Sequence, residues 1–209
     1  MRLGCDPVAA RAVAVVLHGR GQSPDWMRAA LVDPMDTDGV HFVLPAAPGG
    51  SWYDAKAVDP LTDATAEQLD RALGSVGEAI RAAREAGPDL PVALIGFSQG
   101  ACLVHEYLHR VGPVDAAVAL TGCRVGSDDD LPRAELDGVS VYATNGDRDP
   151  WIPTPAFLRA LGDLVAGRSR VRAEVFPGRD HGICEAEVAC VSRMLGNLAA
   201  SRPVFGVAP

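Results

Sequence analysis

The chain has 209 residues, 48% hydrophobic and 22% charged, the balance of a globular protein long enough for one substantial core and too short for two ordinary domains. Its net charge of −8, with no Lys/Arg-rich segment, argues against a nucleic-acid partner bound through phosphates. No apolar run reaches the length of a membrane span, and Met1 to Pro7 lack the apolar core of a secretory signal, so a cytoplasmic location without membrane insertion is expected.

Ala12 to Leu17 is a continuous, valine-rich apolar run too short for an ordinary helix, which predicts a strand buried on both faces. It ends at His18-Gly19-Arg20-Gly21. Pro24 to Val32 reads as a short helix with Ser23 as its cap and Pro24 at its first position. Val40 to Pro45 is a second strand, followed by a loop rich in turn residues that carries Trp52 and Tyr53 and runs towards Asp63. Thr65-Ala66-Glu67-Gln68 matches a capping box, which places the start of the next helix at Thr65. Leu69, Leu73, Val76 and Ile80 then recur at helical spacing, and Gly87-Pro88 stops the segment.

Val92 to Ile95 is a third buried strand and runs directly into Gly96-Phe97-Ser98-Gln99-Gly100 and a helix-like segment, Ala101 to Arg110. Val114 to Leu120 is another strand. The acidic run Ser127 to Asp130 reads as a solvated loop. Val139 to Thr144 is a strand ending at Asn145 to Pro150, Pro155 to Val165 suits a helix, and Val171 to Phe176 alternates as a strand near a sheet edge does. The last helix carries Val188, Val191, Leu195 and Leu198 on one face. Strands alternating with helices in this way predict an α/β domain over residues 1–209, with a mostly parallel sheet covered on both faces. Its core spans about 12–200, residues 201–209 read as a loose tail, and no separate cap domain is evident.

The Gly-x-Ser-x-Gly stretch between strand and helix has the form of a nucleophile elbow. There the serine adopts a strained backbone conformation that exposes its hydroxyl, and the residues two before and two after it must be small. A serine hydroxyl needs an imidazole to take its proton and a carboxylate to orient that imidazole. On this architecture the partners follow in the order serine, acid, histidine, at the ends of later strands. Asp149 and His181 occupy those places. Asp147 competes for the acid, with Asp115 and Asp180 more distant. His105 and His109 lie in the elbow helix, His41 is inside a strand, and His18 precedes the serine, where a His-Gly turn shapes the oxyanion hole. The oxyanion donors are expected to be the backbone amides of Gln99, next to the serine, and Arg20, after the first core strand. Cys102, one turn after Ser98, reads as packing. The five cysteines lack a CxxC pair and read as reduced thiols, not as a disulfide frame or zinc site.

Leu17 to Gly21, Gly96 to Ala101, Gly146 to Pro153 and Gly178 to Gly182 together resemble the successive motifs of the phospholipase/carboxylesterase family. This α/β-hydrolase branch includes bacterial carboxylesterases and acyl-protein thioesterases. The resemblance spans roughly residues 12 to 200 and implies Ser98 as nucleophile, Asp149 as acid, His181 as base, and oxyanion amides at Arg20 and Gln99. It implies hydrolysis of a small ester or thioester without cofactor or metal. Acyl transfer, cyclisation or elimination would use the same residues, and a non-catalytic binding protein would keep the fold with an inert site. Acyl-protein thioesterases usually have an apolar residue at the place of Arg20, whereas related small bacterial esterases can carry Arg. No extended apolar loop for a long acyl chain is evident, and Pro48 to Asp54 resembles the Ser-Trp-Tyr segment of small bacterial esterases. Trp52, Tyr53 and Trp151 are therefore the candidate pocket residues. Oligomeric state, a homodimer included, is not legible in the sequence.

Overall fold

The computed structural model describes residues 1–127 and 131–206. Its centre is a seven-stranded sheet: β1 (Arg2–Gly4), β2 (Ala12–Leu17), β3 (Val40–Val43), β4 (Val92–Phe97), β5 (Ala116–Leu120), β6 (Ser140–Gly146) and β7 (Arg170–Phe176), in the spatial order β1-β3-β2-β4-β5-β6-β7. All neighbours pair in parallel except β1 with β3. The helices are α1 (Pro24–Met27), continued by a π-helical turn over Arg28–Val32, then α2 (Asp63–Ala86), α3 (Gln99–Arg110), α4 (Thr154–Ala166) and α5 (Glu185–Ala199). No described helix is long and apolar enough to cross a membrane.

The central strands are apolar throughout because both faces of the sheet are covered. Val15, Leu17 and Leu94 point into one core with Leu69, Leu73, Val76 and Ile80 of α2, Leu103 of α3 and Phe157 of α4. Ala14, Val16, Ile95 and Phe97 point into the other with Met27 and Leu31 near α1, and Val191, Met194 and Leu195 of α5. At about 1.5–3 kcal/mol for each fully buried aliphatic or aromatic side chain, these two layers are the main driving force of folding. The chain leaves β2 for β3 on one side and returns to β4 on the other. That reversal opens the loops after β2 and β4 away from each other, and a crevice forms outside the carboxyl ends of these strands.

Four features differ from expectation. The strand β1 carries no apolar run and is too short to announce itself, yet Leu3 pairs with Phe42 and the Met1 amine donates to the Leu44 carbonyl at 2.8 Å. The helix expected from Thr65 begins at Asp63, and its cap is Thr62, whose hydroxyl accepts from the Thr65 amide at 3.2 Å. Gln68, the other half of the expected capping box, reaches sideways: its Nε2 donates to Asp54 Oδ2 at 2.7 Å and its Oε1 accepts from the Asp54 amide at 2.9 Å. Replacing Thr62 with Ala should therefore cost about 1 kcal/mol, measured by chemical denaturation; a cost below the error of that measurement would show that the cap contributes nothing.

The fourth difference is at the carboxyl terminus. Residues 201–206, expected to be loose, fold back on α5. The Arg202 amide donates to Asn197 O at 2.9 Å, Asn197 Nδ2 donates to Val204 O at 3.2 Å, and Val204 packs against the core. Residues 207–209 of that tail, and Asp128 to Asp130 of the acidic loop, lie outside the described residues.

Candidate active site

Ser98 stands between β4 and α3 with φ +55° and ψ −118°. A non-glycine residue in this region is strained, and the strain persists only where the surroundings over-determine it. They do so here through close backbone packing. A Cβ on Gly96 would lie 2.2 Å from the Gly100 carbonyl oxygen, and one on Gly100 would lie 2.4 Å from that of Leu17. The Ser98 amide donates to Leu120 O at 2.9 Å, and its carbonyl accepts from the Cys102 amide at 2.9 Å. The turn is thus locked to β5 on one side and to its own helix on the other.

His181 arrives on the loop between β7 and α5. Its Nε2 lies 2.7 Å from Ser98 Oγ and its Nδ1 lies 2.6 Å from Asp149 Oδ2. The other carboxylate oxygen of Asp149, in the turn after β6, accepts from the Trp151 and Ile152 amides at 2.8 and 2.9 Å. Burial pushes the Asp149 carboxyl pKa up, but the His181 bond and the two amides outweigh it and hold it below the ordinary value. An ionised carboxylate only accepts, so Nδ1 of the neutral ring carries the proton and Nε2 is the acceptor that faces the serine hydroxyl.

The competing acids are occupied elsewhere. Asp147 Oδ1 accepts from the Gly178 amide at 2.6 Å and shapes the turn before His181. Asp115 accepts from the Val92 amide at 2.8 Å, at the opposite, amino end of β4, and Asp180 is exposed. The loop bearing His181 is anchored from beneath by the fully buried Glu187. That carboxylate accepts from the Cys184 amide at 2.7 Å, pairs with Arg179 at 2.5 Å and accepts from the Thr144 hydroxyl of β6.

His18 belongs to the scaffold. Its Nδ1 lies 2.7 Å from the Gly19 carbonyl and its Nε2 accepts from the Ala47 amide at 3.0 Å, a pattern that needs a neutral ring. Burial lowers its pKa in agreement, with the Gly19 carbonyl opposing. The amides of Arg20 and Gln99 have no partner among the described residues, so both are free to serve a ligand oxygen. The Gln99 side chain, invisible to motif reasoning, ties down the neighbouring loop: Oε1 accepts from the Trp52 amide at 2.9 Å and Nε2 donates to Tyr53 O at 2.6 Å.

A cavity of about 490 Å³ opens over Ser98 and His181, within the size range of small-molecule sites. Tyr53 and Trp151 line it, together with Ile152 and Cys102. Trp52 does not. Both aromatics are buried, but the Trp52 indole is held against the scaffold, its Nε1 donating to His18 O at 2.9 Å and its ring 5.1 Å from the His18 ring. Gln22 and Lys56 also line the cavity. Gln22 had a local signal, three residues after Gly19, whose amide its Oε1 accepts at 3.0 Å; Lys56 had none.

The family model described as Phospholipase/Carboxylesterase matches residues 4–198. Among solved structures, a phospholipase/carboxylesterase from Dyadobacter fermentans is 27% identical, with a TM-score of 0.83 over 96% of this chain and 95% of that one. A Bacillus cereus carboxylesterase is 18% identical, with a TM-score of 0.73 over 95% and 93% of the two chains. SOBER1 of Arabidopsis thaliana is 19% identical, with a TM-score of 0.72 over 92% and 99%. The last two likenesses speak to the fold alone. With the sheet order, the elbow and the family match together, the chain belongs to the phospholipase/carboxylesterase family of α/β-hydrolases, a family of hydrolase enzymes.

Proposed function

We infer that the protein is a serine hydrolase that cleaves a small carboxylic ester or thioester through an acyl-enzyme. The observation that carries this reading is the single imidazole of His181 bonded to both Ser98 and Asp149, at 2.7 and 2.6 Å. In the proposed reaction Ser98 Oγ attacks the carbonyl carbon while His181 Nε2 takes its proton, and Asp149 stabilises the imidazolium that forms. The carbonyl oxygen becomes negative as the carbon turns tetrahedral, and the unengaged amides of Arg20 and Gln99 are its donors. Each such donor contributes about 2.7–4 kcal/mol to the transition state. His181 then returns the proton to the leaving group. Water, deprotonated by the same nitrogen, attacks the acyl-serine and releases the acid.

The size of the cavity supports a substrate of modest length, with Tyr53, Ile152 and Cys102 as its less polar wall. A fluorophosphonate probe is expected to label the folded protein at Ser98 with loss of esterase activity, read by intact-mass and peptide mass spectrometry. Labelling that persists in Ser98→Ala, or its absence in the folded wild type, would sink the reading.

A further inference from the structure

The cavity is not neutral. Its wall carries the guanidinium of Arg20 and the ammonium of Lys56, against the one exposed carboxylate of Asp54. Lys56 is the only lysine among the 19 basic residues of the chain. Arg20 is held in place by its own neighbours: Nη1 donates to Asp54 O at 2.6 Å, Nη2 donates to Ala55 O, and the guanidinium carbon lies 5.9 Å from the centre of the Tyr53 ring. Its partners are neutral carbonyls and a ring, which orient the cation without cancelling its charge. Three of its five N–H groups remain for a ligand. Asp54 is itself engaged, its Oδ2 accepting from Gln68 at 2.7 Å, and Asp59 Oδ2 accepts from the backbone amide of Lys56 at 3.2 Å. Neither Arg20 nor Lys56 forms an ion pair among the described residues.

A protein of net charge −8 repels anions in general. Arg20 and Lys56 bring two positive charges to the wall of the cavity over Ser98 against the single negative charge of Asp54, and this local excess reverses that field. We propose that the preferred substrate is an ester or thioester that also bears a terminal carboxylate, bound by Lys56 and the free edge of Arg20 while its carbonyl sits at Ser98. This assignment rests on the serine-hydrolase reading of the same site. One guanidinium edge and one ammonium match the two oxygens of a single carboxylate. Hydrolysis breaks the acyl C–O or C–S bond, adds the elements of water across it, and leaves the distal carboxylate unchanged.

The test compares mono-p-nitrophenyl adipate with p-nitrophenyl hexanoate, which have acyl chains of equal length and differ in the terminal carboxylate. The ratio of their kcat/KM values should favour the adipate monoester on the order of tenfold at low salt. It should fall as the ionic strength rises to roughly 0.5 M, because exposed charges are screened. Lys56→Glu should bring the ratio to one or below, mainly through KM for the adipate monoester, and Lys56→Arg should retain the preference. Lys56 is exposed, so these variants are expected to fold, which circular dichroism checks. If hexanoate is hydrolysed and Ser98 is labelled, but the ratio is near one and indifferent to Lys56→Glu and to salt, the carboxylate assignment falls and the serine-hydrolase reading stands. If neither ester is turned over and Ser98 is not labelled, both fall.

Discussion

Asp149→Asn is expected to lower kcat by about four orders of magnitude without unfolding the protein. The reason is a proton on the wrong nitrogen. Asp149 Oδ1 faces two donors, the amides of Trp151 and Ile152 at 2.8 and 2.9 Å. An asparagine must place its carbonyl oxygen there, because its NH2 group would oppose two N–H groups. That leaves the NH2 group against His181 Nδ1, 2.6 Å from the present carboxylate oxygen. Nδ1 must then accept, the ring proton moves to Nε2, and Nε2 donates to Ser98 Oγ instead of accepting from it. The hydroxyl loses its base. Steady-state kinetics on a neutral ester, with circular dichroism to verify folding, measure the effect; a loss of less than about tenfold would mean that Asp149 does not orient the base in the way argued.

Glu106→Ala is expected to destabilise the fold by about 3–5 kcal/mol, the cost of removing one partner from a buried ionic network. Glu106, in the middle of α3, has no exposed side-chain surface and sits at the centre of an ionic network. Its Oε1 accepts from Arg124 Nε at 2.7 Å and from the Val125 amide at 2.9 Å, and its Oε2 pairs with Arg110 Nε at 2.5 Å. Arg124 also reaches Asp163 of α4 at 2.9 Å and the Pro132 carbonyl at 2.8 Å. Burial pushes the Glu106 carboxyl up, but Arg124, Arg110 and the Val125 amide together hold it below its ordinary value, so it is charged at neutral pH. Removing it leaves the Nε of Arg124, whose side chain is 4% exposed, without its acceptor and Asp163 as the sole remaining counter-ion of that guanidinium. Replacing Glu106 and Arg124 together by apolar residues of similar volume should cost less than Glu106→Ala alone, since desolvation of both charges is then avoided. Urea denaturation of the two variants decides the matter; a double variant less stable than the single would show that the pair itself, not the stranded charge, carries the energy.

The two predictions also mark where sequence reasoning works on this chain. That Asp149 and His181 meet beside Ser98 was legible because the order of serine, carboxylate and imidazole along an α/β chain follows from parallel strands whose carboxyl ends all point one way. The elbow was legible because Gly96 and Gly100 are needed wherever backbone approaches within 2.2–2.4 Å of an added Cβ. Glu106 was not legible. Arg110 stands at helical spacing from it, but Arg124 and Val125 are 18 and 19 residues away in the loop after β5, and no local period encodes that meeting.

The same division runs through the remaining residues. Strands β2, β4 and β5 could be read from the chain because a strand covered on both faces must be apolar at every position, and this pattern is local. The Thr62 cap was misplaced by three residues because Gln68, which completes an apparent capping box, is drawn away by Asp54, a loop residue brought near only by folding. Trp52 and Tyr53 were alike as aromatics near a turn; the Gln99 side chain and the His18 carbonyl hold Trp52 against the scaffold while Tyr53 lines the cavity. By itself, then, the sequence determined the layered α/β architecture, the strained serine and the order of its candidate partners, since those depend on periodicity and on steric limits within a few residues. Only the tertiary structure decided which aromatic lines the cavity, which buried charges sustain one another and that the one lysine shares a cavity with Ser98, because each of these brings together segments that meet when the sheet is assembled.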